Sequence, residues 1–275
     1  MTKTYNVSLI SDSTGETLDR IFVSLKAQFG EINYDVKQFS FTRTENQISK
    51  IVETYKKKKN PIILYTIVDT ELSNFLKEKC LKEKIPCYGA LEELIIVFSK
   101  LFKQEASHIP SGQHQLNEEY YKRIEAIQFT MSHDDGNLIT DLEKSDIILL
   151  GVSRTSKTPT SIYLANRGYK TSNIPIVNKD SLPIKLKDNP KLTCVVGLTT
   201  DPERLLDIRK NRMNLIKEEK ITTYTNLNKI IDEVKEARKI FKKYNWPVID
   251  VTRKSVEEVA ASVIKIHEID KAIAK

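Results

Sequence analysis

An apolar run that breaks into a short polar loop near the middle of the chain limits the folds available to it. Residues 147–150 are continuously apolar, which is typical of a strand buried on both faces, and the residues after Thr158 suit a helix. A loop at the amino end of a helix offers unpaired backbone N–H groups and the positive end of the helix dipole. The junction therefore predicts a strand, a phosphate-holding loop and a helix.

The spacing within this loop is that of a Walker A loop, in which backbone amides hold phosphates, a lysine reaches the terminal ones and a hydroxyl ligates Mg²⁺. Lys157 takes the second role and Thr158, as the metal ligand, the third, but Ser156 stands where that pattern has glycine. A serine fits there only if its dihedral angles stay in a region open to L-residues. An ordinary polar turn is the alternative. The predicted cofactor-binding residues are Gly151, Val152, Ser153, Arg154, Thr155, Ser156, Lys157 and Thr158.

Segments of strand length alternate with segments of helix length along the rest of the chain. Such alternation predicts parallel β-α-β units with helices on both faces of a sheet. The expected fold class is α/β, with a parallel-sheet N-terminal domain followed by a P-loop-type α/β domain. The expected domains are an N-terminal α/β domain over residues 1–105, a bridging loop and helix over 106–140, and a nucleotide-binding P-loop domain over 141–275.

Small polar residues follow the first predicted strand, which ends at Ile10. Ligands of open α/β sheets bind at the carboxyl ends of strands, so Ser13, Thr14 and the adjacent amides are candidates for holding a phosphate or carboxylate. The alternative is helix capping, with Ser13 or Thr14 as the N-cap and Glu16 or Thr17 supporting the first turn. Capping is expected in either case.

Two adjacent carboxylates, Asp134 and Asp135, lie in a polar turn ahead of the central loop. Directed at one point, they would hold Mg²⁺ or accept a proton from an attacking hydroxyl, whereas a plain Asp-Gly hairpin turn is the alternative. Further on, Arg209 and Arg212 would clamp a phosphate if their helix face turns toward the loop, and otherwise form a solvated surface. The spacing does not distinguish these alternatives.

The amino-acid composition limits which partners and which cellular compartment can be expected. The chain has 44 basic and 37 acidic residues and a formal charge of +7, which suits an acidic partner or a phosphorylated substrate. No basic stripe with interleaved aromatic residues occurs, so nucleic acid is not an expected partner. Cys80, Cys87 and Cys194 lack metal-ligand spacing, which predicts a reduced compartment and no zinc. With no apolar signal region and no span of bilayer length, we expect a soluble, cytoplasmic protein without membrane contact.

Five motifs follow one another as they do in the pyruvate, phosphate dikinase regulatory proteins, and the chain resembles that family almost from end to end. The sister group that acts on pyruvate, water dikinase (phosphoenolpyruvate synthase) is equally similar in these motifs. They are Ser11-Asp12-Ser13-Thr14-Gly15-Glu16-Thr17; Tyr121-Lys122-Arg123-Ile124-Glu125-Ala126; His133-Asp134-Asp135-Gly136; Gly151-Val152-Ser153-Arg154-Thr155-Ser156-Lys157-Thr158-Pro159 with Tyr163-Leu164-Ala165; and Trp246-Pro247-Val248-Ile249-Asp250-Val251-Thr252 with residues 255–258.

The resemblance implies a bifunctional enzyme. Such proteins act as ADP-dependent serine/threonine kinases that phosphorylate an active-site threonine of the dikinase and inactivate it. They also remove that phosphate with inorganic phosphate, releasing pyrophosphate. By this resemblance residues 151–158 bind ADP, with Lys157 on the phosphates and Thr158 near Mg²⁺.

Asp134 or Asp135 is our candidate for the proton acceptor or metal ligand of the forward reaction. For the reverse reaction, Ser13, Thr14 and Arg154 are candidates for holding the phosphate ion, a hypothesis that rests on their chemistry alone.

The protein substrate is expected to be pyruvate, phosphate dikinase, because the short chain and residues 8–28 look more like that subgroup, and similar proteins are homodimers. Phosphoenolpyruvate synthase is the alternative target. Two other classes of function are also considered. A P-loop small-molecule kinase would phosphorylate a metabolite with no protein present, and a non-catalytic nucleotide-sensing or RNA-binding module would bind its partner with a strong salt dependence.

Overall fold

The computed structural model describes residues 3–112, 116–137, 139–177, 181–216 and 224–273. The chain divides into an N-terminal unit, Met1–Gln115, and a C-terminal unit, Leu116–Lys275. The segment predicted as a bridge, residues 106–140, is cut by this boundary, so its loop belongs to the N-terminal unit and its helix to the C-terminal unit.

The N-terminal unit is a four-stranded parallel sheet with strand order β2-β1-β3-β4. The three-residue strand β4 is not predictable from the sequence, because so short a segment carries no periodic pattern. The elements are β1 (Thr4–Ser11), α1 (Glu16–Lys26), β2 (Asn33–Phe39), α2 (Glu45–Tyr55), β3 (Pro61–Thr66), α3 (Thr70–Lys82), β4 (Cys87–Gly89) and α4 (Glu92–Phe102).

Strand β1 is buried on both faces of this sheet. Val7 and Leu9 lie in one apolar cluster with Leu18 of α1, and Ile10 lies in another with Ile48 of α2. Each such side chain contributes about 1.5–3 kcal/mol by leaving water. Helices therefore cover both faces, as the alternating pattern predicts.

The C-terminal unit contains a second four-stranded parallel sheet, with strand order β6-β5-β7-β8. The predicted α/β class is confirmed in both units. The elements are α5 (Glu118–Ser132), β5 (Ile147–Gly151), α6 (Lys157–Asn166), β6 (Thr171–Pro175), α7 (Ile184–Asp188), β7 (Cys194–Thr199), α8 (Pro202–Ile216), α9 (Leu227–Lys243), β8 (Val248–Asp250) and α10 (Val256–Ile273), with 3₁₀ turns at Asp134–Gly136 and Ile139–Lys144.

Strand β5 lies in the interior of this sheet, and residues 147–150 are each 0% exposed. Ile148 and Leu150 pack in the cluster that includes Phe241 of α9, whereas Ile147 and Leu149 pack in the cluster that includes Val259 of α10. The continuous apolar run is thus explained by burial on both faces.

The two sheets share one topology, because in each the first strand lies between the second and the third and the fourth pairs with the third. In such a sheet the connections from the first and third strands leave in opposite directions, which opens a crevice at their carboxyl ends where ligands bind. Ligand-binding residues are therefore expected in the turns after β1 and β5. Within the described part of the chain, no helix combines the length and apolar character needed to cross a bilayer.

Candidate active site

Gly151 ends β5 at a point where no side chain fits. A Cβ added there would lie 2.6 Å from the carbonyl oxygen of Leu198 on β7 and 2.6 Å from Thr155 Oγ1. Thr155 Oγ1 itself donates to the Val152 carbonyl oxygen at 2.9 Å, and Thr155 is fully buried. The close approach of β7 and this internal hydrogen bond together require glycine at the start of the turn.

Gly151→Ala is expected to lower the free energy of unfolding by about 2 to 3 kcal/mol, because the obstructing Leu198 oxygen is backbone in the neighbouring strand. The thermal midpoint should fall by about 5 to 10 °C. Gly30→Ala is the matched control, since no atom lies within 4 Å of the Cβ that it would add. A Gly151→Ala protein that melts with the wild type would contradict this account of the turn.

Two loop residues adopt the left-handed conformation that favours glycine. Arg154 has φ 71° and Ser156, immediately before α6, has φ 60° and ψ 21°. Ser156 thus takes the conformation for which a Walker A loop uses glycine, at a cost of about 1–2 kcal/mol for an L-residue. No side chain caps α6, so its first amides are donors available to an anion. Strained residues of this kind concentrate at functional sites.

Lys157 is the first residue of α6 and is only 5% exposed. Its Nζ donates to the Val152 carbonyl oxygen at 3.0 Å. Burial lowers the pKa of Lys157 to about 8; the carboxylates of Asp135 and Asp134 oppose this shift, whereas the nearby Arg154 and Arg209 add to it. A buried cation without a paired anion is costly, so this position favours a negatively charged ligand.

Thr158 contacts Asp134, one of the two carboxylates predicted to act in the site. Its hydroxyl lies 3.1 and 3.4 Å from the two carboxylate oxygens of Asp134. Asn173 of β6 donates through Nδ2 to Thr158 Oγ1 at 2.9 Å and to Asp134 as well. The backbone N–H of Asn173 donates to the His133 carbonyl oxygen at 3.1 Å, which fastens the turn that carries Asp134 to β6.

This cluster of oxygens suits a hard cation. Asn173 Oδ1 is buried without a hydrogen-bond partner among the described residues, while Nδ2 of the same amide contacts Thr158 and Asp134. Mg²⁺ is commonly held by one or two carboxylates and several waters, so these residues fit it. No group of three or more His, Cys, Asp or Glu suited to a metal occurs in the described ranges, and water would have to complete the coordination.

Asp135 differs from its neighbour in both exposure and conformation. It is exposed, has φ 54°, and makes no hydrogen bond to any described residue, yet its carboxylate acts on the charge of Lys157. The hairpin alternative for this turn is wrong, because the turn follows helix α5 and both sheets are parallel. His133 is buried and its Nδ1–H donates to the Phe129 carbonyl oxygen at 2.8 Å, which is a structural role.

Asn173 was not predicted as a site residue, because its strand does not begin with an apolar run. β6 spans Thr171–Pro175, and its polar first half is buried because hydrogen bonds satisfy it. The N–H of Thr171 donates to Thr130 Oγ1 at 3.0 Å, and the hydroxyls of Ser172 and Ser145 lie 2.7 Å apart. A pattern of apolar residues cannot reveal a strand buried in this way.

Neither expectation for the arginines of α8 describes Arg209. It is 1% exposed and paired with Glu233 of α9 at 2.6 Å, so it is neither solvated nor free to clamp a phosphate. Arg212 is exposed. Pairing with a carboxylate on another helix is a tertiary contact that spacing along α8 does not show.

In the N-terminal unit the capping expectation for α1 is wrong. The N-cap is Gly15, with φ 83° and no side-chain cap hydrogen bond. Ser13 is buried and accepts a hydrogen bond from Ser111 Oγ at 2.9 Å, whereas Thr14 is exposed. The turn borders a cavity of about 170 Å³ whose lining includes Ser11, Asp12, Ser13, Thr66 and Ser111.

Asp12 places a carboxyl group in the wall of this cavity. Burial raises the pKa of its carboxyl group, although it accepts a hydrogen bond from the backbone N–H of Val68 at 2.7 Å and lies near Arg43. A carboxyl group therefore lies next to Ser13 and Thr14, whereas the loop of the C-terminal unit contains the buried amino group of Lys157.

These features define an α/β protein whose C-terminal unit has a turn with a buried lysine and an uncapped helix start at the carboxyl end of a central parallel strand. The family model described as kinase/pyrophosphorylase matches residues 7–264. The chain belongs to this kinase/pyrophosphorylase family, which makes it a phosphotransferase.

Curated relatives cover nearly the whole chain and confirm the resemblance found in the sequence. A protein of Pelagibacter ubique (strain HTCC1062) is 69% identical over 98% of this chain and 99% of its own length. One of Erythrobacter litoralis (strain HTCC2594) is 45% identical over 96% and 95%, and one of Wolbachia pipientis wMel is 44% identical over 96% of each. All three carry the name of a pyruvate, phosphate dikinase regulatory protein.

Proposed function

We propose that this protein regulates pyruvate, phosphate dikinase by reversible phosphorylation. As a serine/threonine kinase it would use ADP to phosphorylate the active-site threonine, and as a pyrophosphorylase it would remove that phosphate with inorganic phosphate. The observation that carries the proposal is the meeting of buried Lys157, Thr158 and Asp134 at the uncapped start of α6. Family membership and the names of the relatives support the same chemistry.

In the forward direction the threonine hydroxyl oxygen of the dikinase forms a bond to the β-phosphorus of ADP. The bond from that phosphorus to the bridging oxygen breaks, AMP leaves, and the hydroxyl proton passes to a carboxylate of this protein. We assign the proton to Asp135, which is exposed and free of hydrogen bonds to described residues, and the metal to Asp134, which already binds Thr158. Lys157 and the amides of residues 151–158 bind the phosphates.

Mg²⁺ held by Thr158 and Asp134 would neutralise charge on the transferring group. In the reverse direction an oxygen of inorganic phosphate forms a bond to the phosphothreonine phosphorus, and the bond from that phosphorus to the threonine oxygen breaks. Pyrophosphate leaves, and the threonine oxygen takes up the proton that the attacking phosphate gives up. We propose Arg154, which lies within the loop, as the group that holds this phosphate. Ser13 and Thr14 are the second candidates, and Ser13→Ala should leave the KM for phosphate unchanged if Arg154 is the receptor.

We further propose that the protein works in the cytoplasm as a homodimer. The thiols of Cys80, Cys87 and Cys194 are free, which suits a reducing compartment. No residue of α4 is buried, and Leu101 and Phe102 are each 68% exposed, so this apolar helix suits a second copy of the chain. Light scattering that reports only the 31.6 kDa chain mass at micromolar concentration would contradict the dimer.

The decisive experiment mixes the purified protein and ADP with each dikinase in its phosphohistidine form. We expect threonine phosphorylation and loss of activity in pyruvate, phosphate dikinase, and recovery with release of pyrophosphate when phosphate is added. Modification of phosphoenolpyruvate synthase alone would select the alternative target. Consumption of ADP with a metabolite and no protein acceptor would instead indicate a small-molecule kinase.

ADP binding should become coupled to proton uptake above pH 8. Lys157 has a pKa of about 8 in the free protein, against an ordinary value of 10.5, and a bound phosphate raises it again. At pH 9 each ADP should therefore bring about one proton with it, and the Kd should rise with pH. Calorimetry in buffers of different ionisation enthalpy measures this uptake, which should vanish in Lys157→Met and below about pH 7.

A further inference from the structure

A buried arginine joins three chain segments beneath the loop. Arg209 Nη2 lies 2.6 Å from Glu233 Oε2 and donates to the Ser153 carbonyl oxygen at 3.3 Å, while Nη1 donates to the Tyr224 carbonyl oxygen at 3.2 Å. Both terminal nitrogens are used by a carboxylate and two backbone carbonyls, Nε has no partner among the described residues, and the residue is only 1% exposed, so a substrate cannot reach the guanidinium. Its geometry is that of a fixed support for residue 153 of the loop.

Tyr224 is held against this arginine and reaches the loop by its hydroxyl. The guanidinium carbon of Arg209 lies 4.5 Å from the centre of the Tyr224 ring. The Tyr224 hydroxyl lies 3.3 Å from Ser153 Oγ and accepts a hydrogen bond from Arg154 Nε at 3.2 Å. A continuous set of contacts thus runs from Glu233 through Arg209 and Tyr224 to Arg154.

Arg154 is the cation that this set of contacts orients. It is exposed, whereas Lys157 is buried, and its backbone is in the left-handed region at φ 71°. Its Nε is engaged by Tyr224, but its two terminal nitrogens make no hydrogen bond to any described residue. Such an edge of a guanidinium, fixed at one nitrogen and open at the other two, suits two oxygens of one phosphate group.

We propose that Arg209 and Tyr224 are positioning residues that hold Arg154 as the phosphate receptor of the loop. The ligand class is a phosphate-bearing anion, either the diphosphate of ADP or inorganic phosphate. The proposal rests on the proposed function and deepens it, because it assigns the orientation of the receptor to residues that do not touch the substrate.

Tyr224→Phe tests the proposal because it removes only the hydroxyl. We expect the Kd for ADP in calorimetry and the KM for ADP and for inorganic phosphate to rise about tenfold. The kcat of each direction should stay within about twofold and the thermal midpoint within about 1 °C, because the half-buried ring and its contact with the Arg209 guanidinium remain. A rise confined to phosphate or to ADP would identify which of the two anions Arg154 receives.

Tyr163→Phe is the matched control. Tyr163 on α6 accepts a hydrogen bond from Arg167 Nη2 at 3.2 Å, the same kind of contact as that of Tyr224, but its partner is not a loop residue. This variant should match the wild type in every binding and kinetic constant. Arg209→Lys keeps a charge opposite Glu233 but cannot reach both carbonyl oxygens, so it should weaken ADP binding as Tyr224→Phe does.

A double-mutant cycle decides whether Tyr224 acts through Arg154. In an Arg154→Ala background, Tyr224→Phe should change the Kd for ADP and the KM for phosphate by less than about twofold. A full tenfold effect in that background would overturn the proposal, as would wild-type constants in Tyr224→Phe itself. Failure of the wild type to bind ADP or phosphate would instead overturn the proposed function, and the receptor role with it.

Discussion

Replacing Lys157 by methionine is expected to lower both the proposed phosphorylation of the dikinase and its proposed reversal by at least about 10³-fold, because the loop loses its buried cation. Methionine fills nearly the same buried space without charge. The thermal midpoint should not fall, since the cost of burying an ammonium group is removed with it. Initial rates with radiolabelled ADP, together with thermal unfolding, measure the two effects separately.

Lys170→Met is the matched control for this variant. Lys170 lies on the same unit, and its Nζ is 2.5 Å from Glu125 Oε1 in an ion pair near the surface. Such pairs contribute about 0–1 kcal/mol, and wild-type rates are expected. If Lys157→Met retained more than about a tenth of the activity, the loop could not be the phosphate site that we propose.

Substitutions of the two adjacent carboxylates, Asp134 and Asp135, should cause different kinetic defects. Asp135→Asn is expected to reduce kcat by about 10²- to 10⁴-fold with little change in the KM for ADP, because the proposed acceptor of the hydroxyl proton is lost. Asp134→Asn should instead raise the Mg²⁺ concentration required for half-maximal rate, because its carboxylate lies 3.1 Å from Thr158 Oγ1. Rates measured across Mg²⁺ concentrations distinguish the two.

If Asp134→Asn lowered kcat and Asp135→Asn raised the Mg²⁺ requirement, the assignment would be reversed, with Asp134 as the proton acceptor. Asp141→Asn serves as the control for both, since Asp141 is bound to Lys144 at 2.7 Å outside the site. It should leave kcat and the Mg²⁺ requirement unchanged.

The elements around the site were predictable wherever local sequence determines them. β5 and α6 were expected from an apolar run and a polar turn, and they occur as β5 (Ile147–Gly151) and α6 (Lys157–Asn166). The contact between Asp134 and Thr158 could be suspected from their chemistry but not located, because it depends on how the turn after α5 docks on β6. Local pattern thus predicted the loop, and tertiary packing completed the site.

Other features could not be predicted from the sequence, for identifiable physical reasons. Asn173 contacts Thr158, which is 15 residues away in the sequence, and Tyr224 contacts Arg154, which is 70 residues away. Such long-range contacts leave no periodic pattern in the sequence. Arg209 looks like surface in a charged helix, yet Glu233 on another helix allows it to be buried. At α1 the hydroxyl residues suggested a cap, but the left-handed Gly15 turns the chain so that Ser13 faces Ser111 instead.

The common strand order of the two sheets puts α1 and α6 at the same place in their respective units, and their first residues carry opposite charge. α1 begins with Glu16, whose carboxylate already complements the positive pole of its own helix, and α6 begins with Lys157, which reinforces that pole. The start of α1 therefore carries its own compensating negative charge. At the start of α6 the carboxylates of Asp135 and Asp134 only oppose the effect of burial on Lys157, and under the proposed function a bound phosphate would supply further negative charge.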